Sequence, residues 1–173
     1  MPHPLTKLPS TLYWGYRKAF KKLYGAVWSL SKTNIYTEDW DALVILDACR
    51  PDLLKEVVDE YDFLPQQFET IYSVGSSSGE WMRNTFTPEH SSEIQETGIV
   101  TGNPHTKTEL NPDEFKKCDE VWRRAWDEKA GTVPPRPITD SAIHHWRRRD
   151  YNRMIVHYMQ PHFPSIPYPN VGA

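Results

Sequence analysis

The sequence predicts an α/β fold, a mostly parallel sheet flanked by helices, and three observations point to it. Residues 42–46, Ala-Leu-Val-Ile-Leu, form an unbroken aliphatic run with no polar alternation, the pattern of a strand buried on both faces. Asp47 closes that run, and Pro51 then opens a segment in which Asp52, Leu53, Leu54, Val57 and Val58 keep helical spacing. Later apolar runs at 98–102 and 154–159 read as further strands separated by helical segments. Asp47 thus stands at the carboxyl end of a strand, where open α/β sheets keep their ligands. A carboxylate there meets a cation, a metal or hydrogen-bond donors, because desolvating it alone costs too much. A loop-bracing or helix-capping aspartate is the bland alternative of equal weight.

Composition bounds the reading. The 173 residues suffice for one domain with an ordinary core, and 38% apolar with 25% charged residues is a globular balance. A net charge of −3 argues against nucleic acid as a partner of the whole molecule. Two cysteines, Cys49 and Cys118, make no disulfide framework, so a reduced, cytoplasmic setting is expected. No apolar run is long enough to span a bilayer, and the N-terminus lacks a signal-peptide core.

The N-terminal part, residues 1–36, reads as an amphipathic helix and linker. Leu12, Tyr16, Phe20, Leu23, Val27 and Leu30 fall on one stripe, with Arg17, Lys18, Lys21 and Lys22 off it. The stripe suits packing on the protein body; the basic, aromatic character of residues 10–30 also suits an anionic membrane surface, which would make the protein membrane-peripheral. Residues 37–173 read as the α/β domain. A helix is expected over 51–61 and a second strand over 68–74, with Ile71 and Val74 as core residues. That strand runs into Gly75-Ser76-Ser77-Ser78-Gly79-Glu80-Trp81, a small-residue turn before a helix. Such a turn exposes a hydroxyl at a sheet edge and aims helix N–H groups at an anion; a serine helix cap is the common alternative. Residues 87–96 read as loop, 111–129 as helical, 131–137 as a Pro-rich connector and 139–149 as a helix. After the strand at 154–159, Gln160-Pro161-His162-Phe163-Pro164 places His162 in a rigid loop. Three segments therefore end in useful groups: Asp47, Ser76–Ser78 and His162. If the strands are parallel, these ends share one edge.

In this order the motifs 43–52, 73–81 and 156–164 resemble the sulfatase-like branch of the alkaline phosphatase superfamily. The resemblance implies an alkaline-phosphatase-like α/β fold and a metal-dependent hydrolase or transferase acting on phosphate or sulfate esters through a serine. It implies Asp47 as ligand of a divalent ion (Zn, Mn, Mg or Ca), Ser76 or Ser77 as nucleophile, and His162 as the group that contacts the ester anion. Aligning on Glu80 selects Ser76; aligning on Gly79 selects Ser77. Two departures matter. The sulfatase maturation signature is absent, since Leu53 stands where Cys49-Arg50-Pro51-Asp52 would need an arginine; this favours phosphate over sulfate chemistry. The later Asp-His-Gly-type motif that supplies further metal ligands is also absent. The chain therefore reads as an incomplete or truncated sulfatase-like domain with weak turnover of its own, or as a non-catalytic binding or scaffold derivative. A separate metal site from His144, His145, His157 and His162 is a minor alternative, because adjacent His144 and His145 face different sides of a helix.

Overall fold

The computed structural model describes residues 32–169. In chain order the elements are β1 (Lys32–Thr33), β2 (Ala42–Leu46), α1 (Pro51–Val57), β3 (Tyr72–Ser73), α2 (Ser78–Thr85), α3 (Ser91–Gln95), β4 (Thr97–Thr101), α4 (Thr106–Glu109), β5 (Lys117–Glu120), α5 (Trp122–Ala125), α6 (Pro135–Arg148) and β6 (Arg153–Tyr158). Strands β2, β6, β4 and β5 form a parallel sheet in that spatial order. Its register sets Leu46 opposite Tyr158 and Thr101 opposite His157, so three carboxyl ends lie level. The expected class, an α/β fold with parallel strands flanked by helices, is what the chain adopts.

Period-two alternation divides the sheet into two cores. Met154 and Val156 point to one face, where they pack with Val100, Val121, Val133 and, from α6, Ile138 and Ala142. Ile155 points to the other, with Ile99, Phe115, Ile94 of α3, and Ile35 and Tyr36. The last two lie just ahead of residue 37, where the domain was expected to begin, yet both are buried. The helix and the membrane contact expected over residues 10–30 lie outside the described residues. Among the described residues no helix is long and apolar enough to cross a membrane.

Several expectations change. Residues 42–46 are a strand, but not one buried on both faces: Val44 is 57% and Leu46 40% exposed. β2 lies at the sheet's edge, with β6 as its one strand neighbour among the described residues. The strand expected over 68–74 shortens to β3, which pairs with β1 outside the main sheet. Val74 is buried as expected; Ile71 is 53% exposed. Residues 87–96 contain a 3-10 turn (Pro88–His90) and α3, whose Ile94 enters the core. The helix expected over 111–129 is instead β5 followed by the short α5. β5 is an edge strand reading Lys-Cys-Asp-Glu, so its polar composition hides it. Helix α6 begins at Pro135, inside the expected connector, because a first-turn residue needs no N–H donor.

Candidate active site

The carboxyl edge of the sheet bounds a cavity of about 700 Å³ lined by Asp47, Ser76, Ser77, Ser78, His105, His157 and His162, among others. The three segments singled out in the sequence therefore meet at one edge.

Asp47 follows β2 directly, and its N–H extends the ladder to the Tyr158 carbonyl at 3.3 Å. The next residue, Ala48, has φ of 59°, a left-handed conformation that costs a non-glycine residue about 1 kcal/mol. The chain thus turns sharply away just after the carboxylate. Asp47 Oδ2 accepts from Ser78 Oγ at 3.0 Å and from Asn103 Nδ2 at 3.1 Å. Among the described residues no lysine or arginine is paired with it; the nearest ionisable partner is His157, whose Nε2 lies 4.0 Å from Oδ2.

The serine turn divides its work. Ser77 is the N-cap of α2, its Oγ accepting from Glu80 N–H at 3.3 Å. Ser76 donates N–H and Oγ–H to Glu80 Oε2, at 2.8 and 2.6 Å. Those bonds hold the Glu80 carboxyl below its ordinary pKa. Ser78, the first residue of α2, is the serine that reaches Asp47. Gly75 makes the turn feasible, since a Cβ there would stand 2.2 Å from the Trp81 backbone nitrogen. Of the expected nucleophiles Ser76 and Ser77, both line the cavity, but each is committed to local hydrogen bonds of the helix start.

Asn103 follows β4 and is 1% exposed. Its N–H donates to Thr101 Oγ1 and its Oδ1 accepts from His105 N–H, both at 3.0 Å. The amide is thereby fixed with Nδ2 on Asp47. His162 sits on the exposed loop after β6, its ring Nδ1 bonded to the Phe163 carbonyl. His157 lies inside β6, 2% exposed, against the edge of Trp81. Burial pushes its pKa down to about 4, against the attraction of Asp47, so it is neutral at pH 7. Its Nδ1 is buried without a hydrogen-bond partner among the described residues. Cys49 also lines the cavity, but burial raises its thiol pKa and keeps it protonated. His144 and His145 sit on α6 away from this cavity, with His145 held by Asp119 at 3.0 Å.

Sequence reasoning placed Asp47, the serine turn and His162, and missed Asn103 altogether. His157 carried a legible signal, a polar residue in the middle of a buried aliphatic run, and was weighed only within a four-histidine group. Among the described residues no group of three or more His, Cys, Asp or Glu is arranged to hold a metal. Compared with family models, with curated proteins and with solved structures, the chain matches none.

Proposed function

We propose that the chain is a hydrolase or transferase of phosphate or sulfate esters that works through a serine of the 76–78 turn, on a sulfatase-like version of the alkaline phosphatase fold. The observation that carries this reading is the meeting of Asp47, Ser78 and His162 around one cavity. A cleft holding a carboxylate, a hydroxyl on that carboxylate and a helix N-terminus suits an anionic ester. Ser78 is the best-placed nucleophile, because its hydroxyl already donates to Asp47 and accepts no hydrogen bond among the described residues. The Oγ–phosphorus bond forms as the bond to the leaving alcohol breaks. The serine proton passes to Asp47, and His162 at the rim protonates the leaving oxygen. Water then cleaves the phosphoserine, His162 taking the water's proton and Asp47 returning one to Ser78.

A bare carboxylate repels an ester anion, so this site calls for a cation, and Asp47 is the side chain that would hold one. A divalent ion held at Asp47 lowers the pKa of a hydroxyl and offsets charge growing on the ester oxygens. The described residues supply fewer ligands than such an ion ordinarily takes, and that favours slow turnover. It also supports the second reading, a non-catalytic binding derivative of the same fold.

The test is turnover of 4-nitrophenyl phosphate, bis(4-nitrophenyl) phosphate and 4-nitrophenyl sulfate in Mn²⁺ or Zn²⁺. Slow phosphate ester turnover, lowered at least ~100-fold by Ser78→Ala, is the expected result. Turnover indifferent to alanine at Ser76, Ser77 and Ser78 together would remove the serine reading. Absence of turnover on all three esters would favour the binding derivative.

A further inference from the structure

We infer that the ester this cavity takes carries an unbranched alkyl chain, which lies along β2 with its anionic head at the serine turn. This rests on the reading of the cavity as an ester site, and it names the class of alcohol that the site accepts.

Three observations carry it. First, the cavity of about 700 Å³ far exceeds the volume of a phosphate or sulfate group, so most of it is left for the alcohol part of the ester. Its carboxylate, its histidines and the serine turn gather at the carboxyl edge of the sheet. From there the cavity runs back along β2 through Leu46, Ile45, Val44 and Leu43, about 13 Å at the ordinary rise of a strand. With Ile35 and Trp81 beside them, these residues make an apolar slot. Second, among the described residues no Lys, Arg, Asn, Gln, Thr or Tyr lines the cavity. A sugar or nucleotide is held by donors and acceptors of that kind, and its own polar groups would be left unpaired here. Third, Val44 and Leu46, two apart on one face of β2, are 57% and 40% exposed. Large aliphatic side chains exposed together mark a surface that a ligand covers.

The shape of the slot favours a chain. It is longer than one aromatic ring, so an extended chain fills it where a single ring would not. Among the described residues no strand lies beside β2 on this side, which makes a peptide paired to that edge the competing occupant. A paired peptide would set polar backbone against the slot and turn alternate side chains out of it. An alkyl chain turns carbon to every wall, and each methylene it buries adds affinity.

Isothermal titration of the full chain in Mn²⁺ buffer with methyl-, butyl-, hexyl- and octylphosphonate tests this. These probes carry the head and the chain but no ester bond to cleave. Affinity is expected to rise ~2- to 4-fold per methylene from methyl to hexyl, and kcat/KM for the matching alkyl phosphates should rise with it. Val44→Ser and Leu46→Ser should each flatten that rise. Ile143→Ser, in the neighbouring groove on α6, should leave it intact. Should the β2 variants fail to fold, an octylphosphonate with a diazirine at its chain end decides on the wild type, with label expected on residues 43–46. Affinity indifferent to chain length, a rise lost in Ile143→Ser but kept in the β2 variants, or label confined to other parts of the chain would each overturn the assignment. So would octanol binding as tightly as octylphosphonate, or a phosphoserine peptide binding more tightly than it. Turnover that needs Ser78 but ignores chain length would sink the alkyl chain and leave the ester chemistry intact; a chain-length rise in affinity with no turnover would support the slot and remove the ester chemistry.

Discussion

Asp47 Oδ2 receives a hydroxyl proton and an amide proton from residues 31 and 56 positions away in the chain. The amide is a positioning group, since its own Oδ1 and backbone are fixed by the β4–α4 turn. Asn103→Ala deletes one bond to a charged acceptor, worth about 2 kcal/mol. It should lower both thermal stability and ester turnover, and Asn103→Asp should be worse than alanine because it sets a second carboxylate beside the first. Thermal unfolding with parallel turnover assays checks the order wild type, alanine, aspartate; a stable, fully active aspartate variant would break it. At this scale Asp47 and His162 were legible because each ends an apolar run. Asn103 was not, because a polar residue after a strand has the same appearance whether it caps a turn or reaches across a site. Ser78 was legible only as one of three adjacent serines; their separate partners depend on how the turn winds into α2.

Two elements hold the site in place, and each has a testable weak point. The α2 start depends on Gly75 and Ser77. Gly75→Ala drives a Cβ into the Trp81 backbone and should destabilise by about 2–3 kcal/mol. Ser77→Ala removes the cap and should cost about 1 kcal/mol. Denaturant titration should rank the two in that order, and equal effects would contradict the packing at Gly75. On the far side, Asp119 of β5 is bound by Arg124, Ser141 and His145, tying β5 to α5 and α6. Burial raises the Asp119 pKa, but the Arg124, Ser141 and His145 hydrogen bonds outweigh it and hold the carboxyl well below 3.8. The folded chain thus keeps Asp119 ionised where the unfolded chain protonates it. Its stabilisation is whole above pH 3.8 and drains away as pH falls below that value. Asp119→Asn should lower stability at pH 7 and flatten the acid limb below pH 4, read by urea unfolding at stepped pH; a parallel acid limb in both proteins would contradict it. Of these elements, β2, β4, β6 and α6 were legible from aliphatic runs and helical spacing. β5 was not, because its contribution is a polar edge whose strand partner among the described residues, β4, lies in another part of the chain.

Across the molecule, the parallel sheet ends in a strand whose aliphatic residues face outward on one side. Val44 and Leu46 stand exposed beside a groove of about 440 Å³ lined by Ile143, Trp146 and Tyr158. Sequence pattern reads only that a strand is aliphatic; whether a neighbour covers it is a property of topology. Among the described residues no strand covers this edge, and an apolar parallel edge left open invites pairing with other chains. Val44→Lys should leave folding free energy within about 0.5 kcal/mol and raise the concentration at which heated protein scatters light. The larger question is whether the sheet's carboxyl edge works as one site. Intact-protein and peptide mass spectrometry, after mixing with 4-nitrophenyl phosphate and Zn²⁺ and quenching in acid, tests this most directly. The account expects a phosphoryl group on Ser78, lost in Asp47→Asn. Turnover that continues with no adduct anywhere in residues 75–83, or an adduct indifferent to Asp47, would contradict it.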